Sequence, residues 1–285
     1  MTEPGSRAPA ATPVTVAGLL TGASARLEAV SGSPRLDAEL LLGAVLRLDR
    51  TELVLRSRSE VGASERARFA ELVARRAAHE PVAYLLGRRA FRHIELDVDS
   101  RVLIPRPETE LLVEVGLVLP PRASVLDVGT GSGAVALALA DERPDLRIAG
   151  VDISPEAVAV AEANRSRLNL EVSFTVGNLL DDASPHDAVL ANLPYVESSS
   201  CLPADVADFE PALALDGGED GLDIIRRLVA QVAARPWPAL LALEIGAAQG
   251  PAVSQLVAGA GFGQVEVRRD LAGHDRVVVG WRDGR

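Results

Sequence analysis

The chain has 285 residues, enough for one large domain or a medium and a small one, and its 48% apolar content supports a substantial core. Its 29 basic against 40 acidic residues give a net charge of −11, which argues against a long phosphate-tracking surface, since nucleic-acid affinity is largely cation-driven. No stretch reaches the ~18 uninterrupted apolar residues of a membrane span, and Cys201, the single cysteine, precludes an intrachain disulfide and fits a reducing cytoplasm. All the basic residues are arginine, which reads as a compositional bias of the source. The four histidines, His79, His93, His186 and His274, stand far apart without metal-ligand spacing, so no metal site is expected.

Residues 1–13 lack an apolar core segment and read as a flexible leader. From 14 to 86 the pattern is helical. Leu36, Leu40, Leu41, Val45 and Leu46 recur at helical spacing, with Ser33-Pro34 as cap and first residue. A further helix opens at Ala63-Ser64, with Phe69, Leu72 and Val73 as its apolar side. The period then changes. Alternation over Phe91–Ile104, with a turn at Asp97–Ser100, predicts a β-hairpin linking the two domains over 87–105. Ile104-Pro105-Arg106-Pro107-Glu108-Thr109-Glu110 is a proline-stiffened loop entering a helix that runs to Leu119. Its acids suit either the helix N-terminus or a ligand.

Beyond 123, strands and helices alternate, which predicts a parallel sheet covered on both faces, with ligands beyond the carboxyl ends of its strands. Strands are predicted at 123–127, 146–152, 172–176, 187–191, 239–244, 264–268 and 276–281. Helices are predicted at 134–141, 155–166, 222–234 and 249–260.

Four loops leave that edge. The first, Gly129-Thr130-Gly131-Ser132-Gly133, spaces its glycines as G-x-G-x-G; this lets a ligand approach backbone closely at a helix start, yet differs from the pyrophosphate-binding fingerprint. In the second, Asp152 ends a strand where a carboxylate can take both hydroxyls of a ribose; alternatively it caps the helix entered through Pro155. The third, Gly177-Asn178-Leu179-Leu180, either flanks an adenine through Asn178 and Leu179 or is an ordinary turn. The fourth is Asn192-Leu193-Pro194-Tyr195. Pro194 fixes its own φ and keeps Leu193 out of the α region, which makes a rigid corner. Taken alone it is either a stiff turn or a grip for a planar amino group.

Together, the glycine loop, Asp152 and a strand-terminal Asn-x-Pro-Tyr resemble the S-adenosylmethionine-dependent methyltransferases that act on amino groups. The stretch Arg76–Glu114, Phe209-Glu210-Pro211, Gly217-Gly218 with Asp220-Gly221-Leu222, Glu244-x-Gly246 with Gln249-Gly250, and Asp270 to Val277 narrow the resemblance to the HemK-type protein-glutamine N5-methyltransferases of peptide chain release factors. The resemblance implies an α/β protein: a Rossmann-like, seven-stranded class I methyltransferase domain over 106–285, preceded by a helical substrate-docking domain and the hairpin.

It further implies that Gly129, Thr130, Gly131, Ser132, Gly133, Asp152, Asn178, Leu179 and Asn192 hold S-adenosylmethionine, leaving S-adenosylhomocysteine as product. Asn192, Leu193, Pro194 and Tyr195 would hold the glutamine of a Gly-Gly-Gln loop in a class I release factor. No nucleic acid or membrane is expected as partner, and the compartment expected is the cytoplasm. Two residues depart from the family: Leu179 stands where tryptophan is frequent, and Leu193 replaces the first proline of Asn-Pro-Pro-Tyr. Competing substrates are a ribosomal-protein glutamine and the N6 amine of adenine; a nicotinamide-dependent oxidoreductase is disfavoured by the glycine spacing.

Overall fold

The structure is a computed structural model that describes residues 14–282, so the predicted leader at 1–13 lies outside the described residues. Two compact units meet in sequence between Leu86 and Gly87.

The first unit consists of helices α1 (Val16–Leu27), α2 (Pro34–Leu46), α3 (Arg50–Leu55), α4 (Ala63–Ala77) and α5 (Val82–Leu86). Their starts follow the local chemistry. The Thr15 hydroxyl accepts the Gly18 amide at α1, Pro34 opens α2, and Asp49 with Glu52 forms a reciprocal capping box at α3. Ser33 occupies the cap position of α2 without making a side-chain cap bond. Leu20, Leu27, Leu41, Leu42, Leu53, Phe69 and Val73 form the core. Leu36 and Leu40, predicted on the buried stripe of α2, are instead exposed; α2 carries more leucines than one face can bury, and the buried stripe runs through Ala38, Leu41, Leu42 and Val45. Buried Arg76 pairs with Asp37 at 2.8 Å and donates to the Val30 carbonyl, tying α4 to α2 and to the turn after α1.

The second unit begins with β1 (Arg88–Phe91) and β2 (Ile94–Asp97). Phe91 pairs with Ile94, so the hairpin turns at Arg92-His93 and not at the predicted Asp97–Ser100. Arg92 takes a φ of 51°, the conformation a tight hairpin needs, without the glycine or asparagine that would have signalled it. Asp99–Val102 forms a separate turn. The hairpin is no free linker, because it is fastened to the rest of its unit. Arg92 makes a paired hydrogen bond to Glu142 at 2.7 and 2.8 Å. Asn164, fully buried, accepts the Asp97 amide and donates to the Asp97 and Ser132 carbonyls at 2.7–3.0 Å. Asn164→Ala would strand these backbone groups. Its expected cost is ~1–2 kcal/mol, read as a lower denaturation midpoint at unchanged slope.

After a 3-10 turn at Pro107–Thr109 come α6 (Glu110–Leu117), β3 (Ser124–Val128), α7 (Ala134–Glu142), β4 (Arg147–Asp152), α8 (Pro155–Leu168), β5 (Val172–Val176) and β6 (Ala188–Ala191). Then follow α9 (Ala204–Ala207), α10 (Asp223–Ala233), β7 (Leu240–Glu244), α11 (Gly250–Gly259), β8 (Gln264–Arg269) and β9 (Asp275–Trp281). The seven strands run in the order β5-β4-β3-β6-β7-β9-β8.

β3 to β7 are parallel, whereas β9 is antiparallel to both β7 and β8. This corrects the expectation of an all-parallel sheet: only a short loop joins β8 to β9, too short for a crossover, so the pair closes as a hairpin. β6 and β7 are buried throughout, as strands covered on both faces must be. The strand order reverses at β3, flanked by β4 and β6, which opens a crevice at the carboxyl ends of these strands. Among the described residues, no helix is long and apolar enough to cross a membrane, and no cluster of His, Cys, Asp and Glu could hold a metal.

Candidate active site

A cavity of about 480 Å³ lies in that crevice, within the ~300–1,000 Å³ typical of small-molecule sites. The glycine loop forms its floor. Gly129, Gly131 and Gly133 have φ of 73°, 54° and 82°, which few other residues accept. A Cβ on Gly129 would come within 3.0 Å of the Leu193 side chain, so loop and corner pack at glycine distance. Gly129, Thr130, Gly131 and Ser132 line the cavity. Gly133 does not; it precedes α7, where a Cβ would collide with Leu137 and Phe174.

Asp127, at the end of β3, was not among the expected site residues, yet it lines the cavity. Its Oδ2 accepts the Thr130 hydroxyl at 2.6 Å and the Ala136 amide at 3.3 Å, tying the loop to the strand. Burial pushes its carboxyl from 3.8 up to about 7. The folded protein therefore holds this proton more tightly than the unfolded chain. The stabilisation is complete in acid and is lost as pH rises through 7. Without cofactor, the native protein is expected to lose about 1 kcal/mol more than Asp127→Asn between pH 6 and 7.5, measured by denaturant titration at each pH.

Asp152 ends β4 on the same wall. Its oxygens accept the Gly131 and Ser154 amides, each at 2.9 Å, and burial raises its pKa. It does not cap α8. Ser154 does, its hydroxyl accepting the Ala157 amide, which removes the capping alternative for Asp152.

From the third loop, Asn178 and Leu179 also line the cavity. Leu179 is buried and has a φ of 55°. The Asn178 amide is engaged by Asp181 and Arg227.

The corner after β6 closes the cavity with Asn192, Leu193 and Pro194. The Asn192 amide nitrogen donates to the Thr109 hydroxyl oxygen at 3.1 Å. Asn192 Oδ1 and the Leu193 carbonyl accept no hydrogen bond from any described residue. Both residues belong to the cavity wall. Tyr195, expected to help hold the glutamine, is not on the cavity wall. Its hydroxyl lies 3.4 Å from Glu244 Oε1, and its carbonyl accepts the Gln249 side-chain amide at 3.1 Å.

The wall also takes in Pro211–Ala214, which continues from the Phe209-Glu210-Pro211 motif. Buried Glu210 fastens it to the proline-stiffened loop, pairing with Arg106 and accepting the Ile104 amide. In that loop Glu110 stands in the first turn of α6, where an acid suits the helix N-terminus, and accepts the Arg92 amide; it is not on the cavity wall.

Residues 18–87 match the family model of the PrmC N-terminal domain, and residues 88–208 that of the methyltransferase small domain. The release factor glutamine methyltransferase of Koribacter versatilis is 43% identical, over 87% of this chain and 91% of its own. That of Deinococcus radiodurans is 42% identical, over 93% and 98%. A methyltransferase structure from Pyrococcus furiosus covers 75% of this chain and 98% of its own at a TM-score of 0.52 and 14% identity, a likeness of fold alone. With two relatives above 40% identity along nearly their whole length, and with both units matched in order, the chain belongs to the release factor glutamine methyltransferase family.

Proposed function

We propose that the second unit transfers a methyl group from S-adenosylmethionine to the side-chain amide nitrogen of the glutamine in the Gly-Gly-Gln loop of a class I release factor, with the helical unit docking that partner. The observation that carries this reading is the pair of unpaired acceptors, Asn192 Oδ1 and the Leu193 carbonyl, on the wall that also holds the glycine loop and Asp152. A primary carboxamide presents two N–H groups, and two acceptors on adjacent residues match them.

The cavity suits a nucleoside cofactor. Asp152 would take the ribose hydroxyls and the Gly129–Ser132 backbone would admit the ligand closely. Asn178 and Leu179 would flank the adenine, with an apolar side chain in place of a stacking ring. The bound cofactor supplies an electrophilic sulfonium methyl. The residues supply position. A carboxamide nitrogen is a weak nucleophile because its lone pair is delocalised into the carbonyl, so holding both N–H groups and aiming the nitrogen is the principal help the chain can give. Orientation of this kind contributes up to ~7–11 kcal/mol in favourable systems. Leu193 serves through its carbonyl, which any residue supplies. Pro194 stiffens the corner, and Gln249 holds it from behind through the Tyr195 carbonyl. No residue is assigned as a base, since the nitrogen releases its proton readily once methylated.

The reading is tested by offering purified enzyme and labelled cofactor a release factor, its Gln→Ala version, ribosomal protein and RNA. Label is expected on the release factor and not on its Gln→Ala version. Label on ribosomal protein or RNA instead would overturn the choice of substrate.

A further inference from the structure

Behind the corner, outside the cavity, lies a carboxyl to which the proposed transfer gives no task. Glu244 ends β7 and is about 1% exposed. Its Oε1 is 3.4 Å from the Tyr195 hydroxyl, the Thr109 side chain lies beside it, and its buried Oε2 has no partner. Thr109, itself buried, accepts the Asn192 amide nitrogen. Three segments distant in sequence thus converge: the entry to α6, the corner after β6 and the end of β7. A buried carboxyl lacking a full set of partners is costly to keep, and such a group calls for an explanation.

Hydrogen-bond direction supplies one. A threonine hydroxyl has a single proton. When it donates that proton to Glu244, its oxygen is open to the Asn192 N–H, and Asn192 must turn Oδ1 into the cavity. When the carboxyl is itself protonated and donates to Thr109, the hydroxyl proton can go to Asn192 Oδ1 instead. The Asn192 amide then turns over and presents its own N–H groups to those of the substrate. Donor faces donor, and the clamp fails.

We propose that Glu244 is a positioning residue for methyl transfer, the terminal acceptor that fixes, through Thr109, which end of the Asn192 amide meets the substrate. The proposal rests on Asn192 being the substrate clamp. Burial pushes the Glu244 carboxyl up to about 7. The charged and titratable groups around it are Tyr195 from the corner, Glu108 from the proline-stiffened loop, which raises it further, and Arg276 from β9, which opposes the rise and is paired with Asp270. Transfer should therefore strengthen as pH rises through neutrality.

The test uses full-length enzyme, S-adenosylmethionine and a release factor, measuring kcat and KM against pH, with cofactor affinity by calorimetry. For the native enzyme kcat is expected to rise about tenfold per pH unit below 7 and level off above it. Glu244→Gln, which keeps one acceptor oxygen but cannot titrate in this range, should respond little to pH and keep its cofactor affinity within about twofold. A Glu244→Gln enzyme with the native pH profile would overturn the proposal. Should that variant fail to fold, Thr109 decides. Thr109→Ser is expected to keep the native pH profile and Thr109→Val to lose it; identical profiles for the two would refute the relay. Failure of the native enzyme to methylate any release factor is a different result and strikes the substrate reading itself.

Discussion

Asn192→Ala is expected to lower kcat for glutamine methylation by about 1,000-fold while cofactor affinity stays within about twofold. Loss of one preorganised polar contact to the reacting group costs ~10²–10³ in rate, and here it also frees the substrate amide to rotate. The structure confines the damage. Among the described residues the Asn192 side chain makes its single bond to Thr109, and its Oδ1 has no protein partner. Alanine at 192 leaves the Gly129–Ser132 loop, Asp152 and the packing of Leu193 against Gly129 in place. Single-turnover rates with calorimetry separate the two quantities. Native-like transfer by Asn192→Ala would remove the clamp from the account.

Asp152→Ala is expected to weaken S-adenosylmethionine by ~2–3 kcal/mol, about 30- to 150-fold in Kd, in line with the loss of hydrogen bonds to a charged acceptor. Two effects add. The ribose loses its acceptor, and the Gly131 amide loses the oxygen that fixes the cofactor loop. Because Asp152 does not cap α8, the helix should keep its start, while the stranded Gly131 and Ser154 amides should lower the melting temperature modestly, read by circular dichroism. Calorimetry giving native affinity would contradict the ribose role. Asp152→Asn tests the charge separately and should lose less, since one oxygen remains to accept.

Much of this was written locally in the chain. Pro34, the Asp49/Glu52 box and Ser154-Pro155 mark helix starts through their own chemistry, and apolar runs such as 188–191 and 240–244 name buried strands. The glycine loop, Asp152 and Asn192 were legible because each sits where a strand ends. Most of what stayed hidden depends on partners far off in sequence. The Arg92-His93 turn carries no turn residue, and its Arg92 is bonded to Glu142, fifty residues on. The direction of β9 follows from a short loop, which an alternation rule cannot see. The Tyr195 hydroxyl reaches Glu244, 49 positions away, a contact no local pattern announces. Glu210 and Thr109 were legible only as parts of longer motifs, since no local pattern distinguishes a buried acid that braces a wall from one that caps a helix.

The most direct measurement is a crystal structure with S-adenosylhomocysteine and the Gly-Gly-Gln domain of a release factor bound. The glutamine side chain is expected in the 480 Å³ cavity, with its amide nitrogen hydrogen-bonded to Asn192 Oδ1 and the Leu193 carbonyl and facing the cofactor sulfur. A glutamine bound away from the corner, or one presenting its oxygen to Asn192, would contradict the clamp.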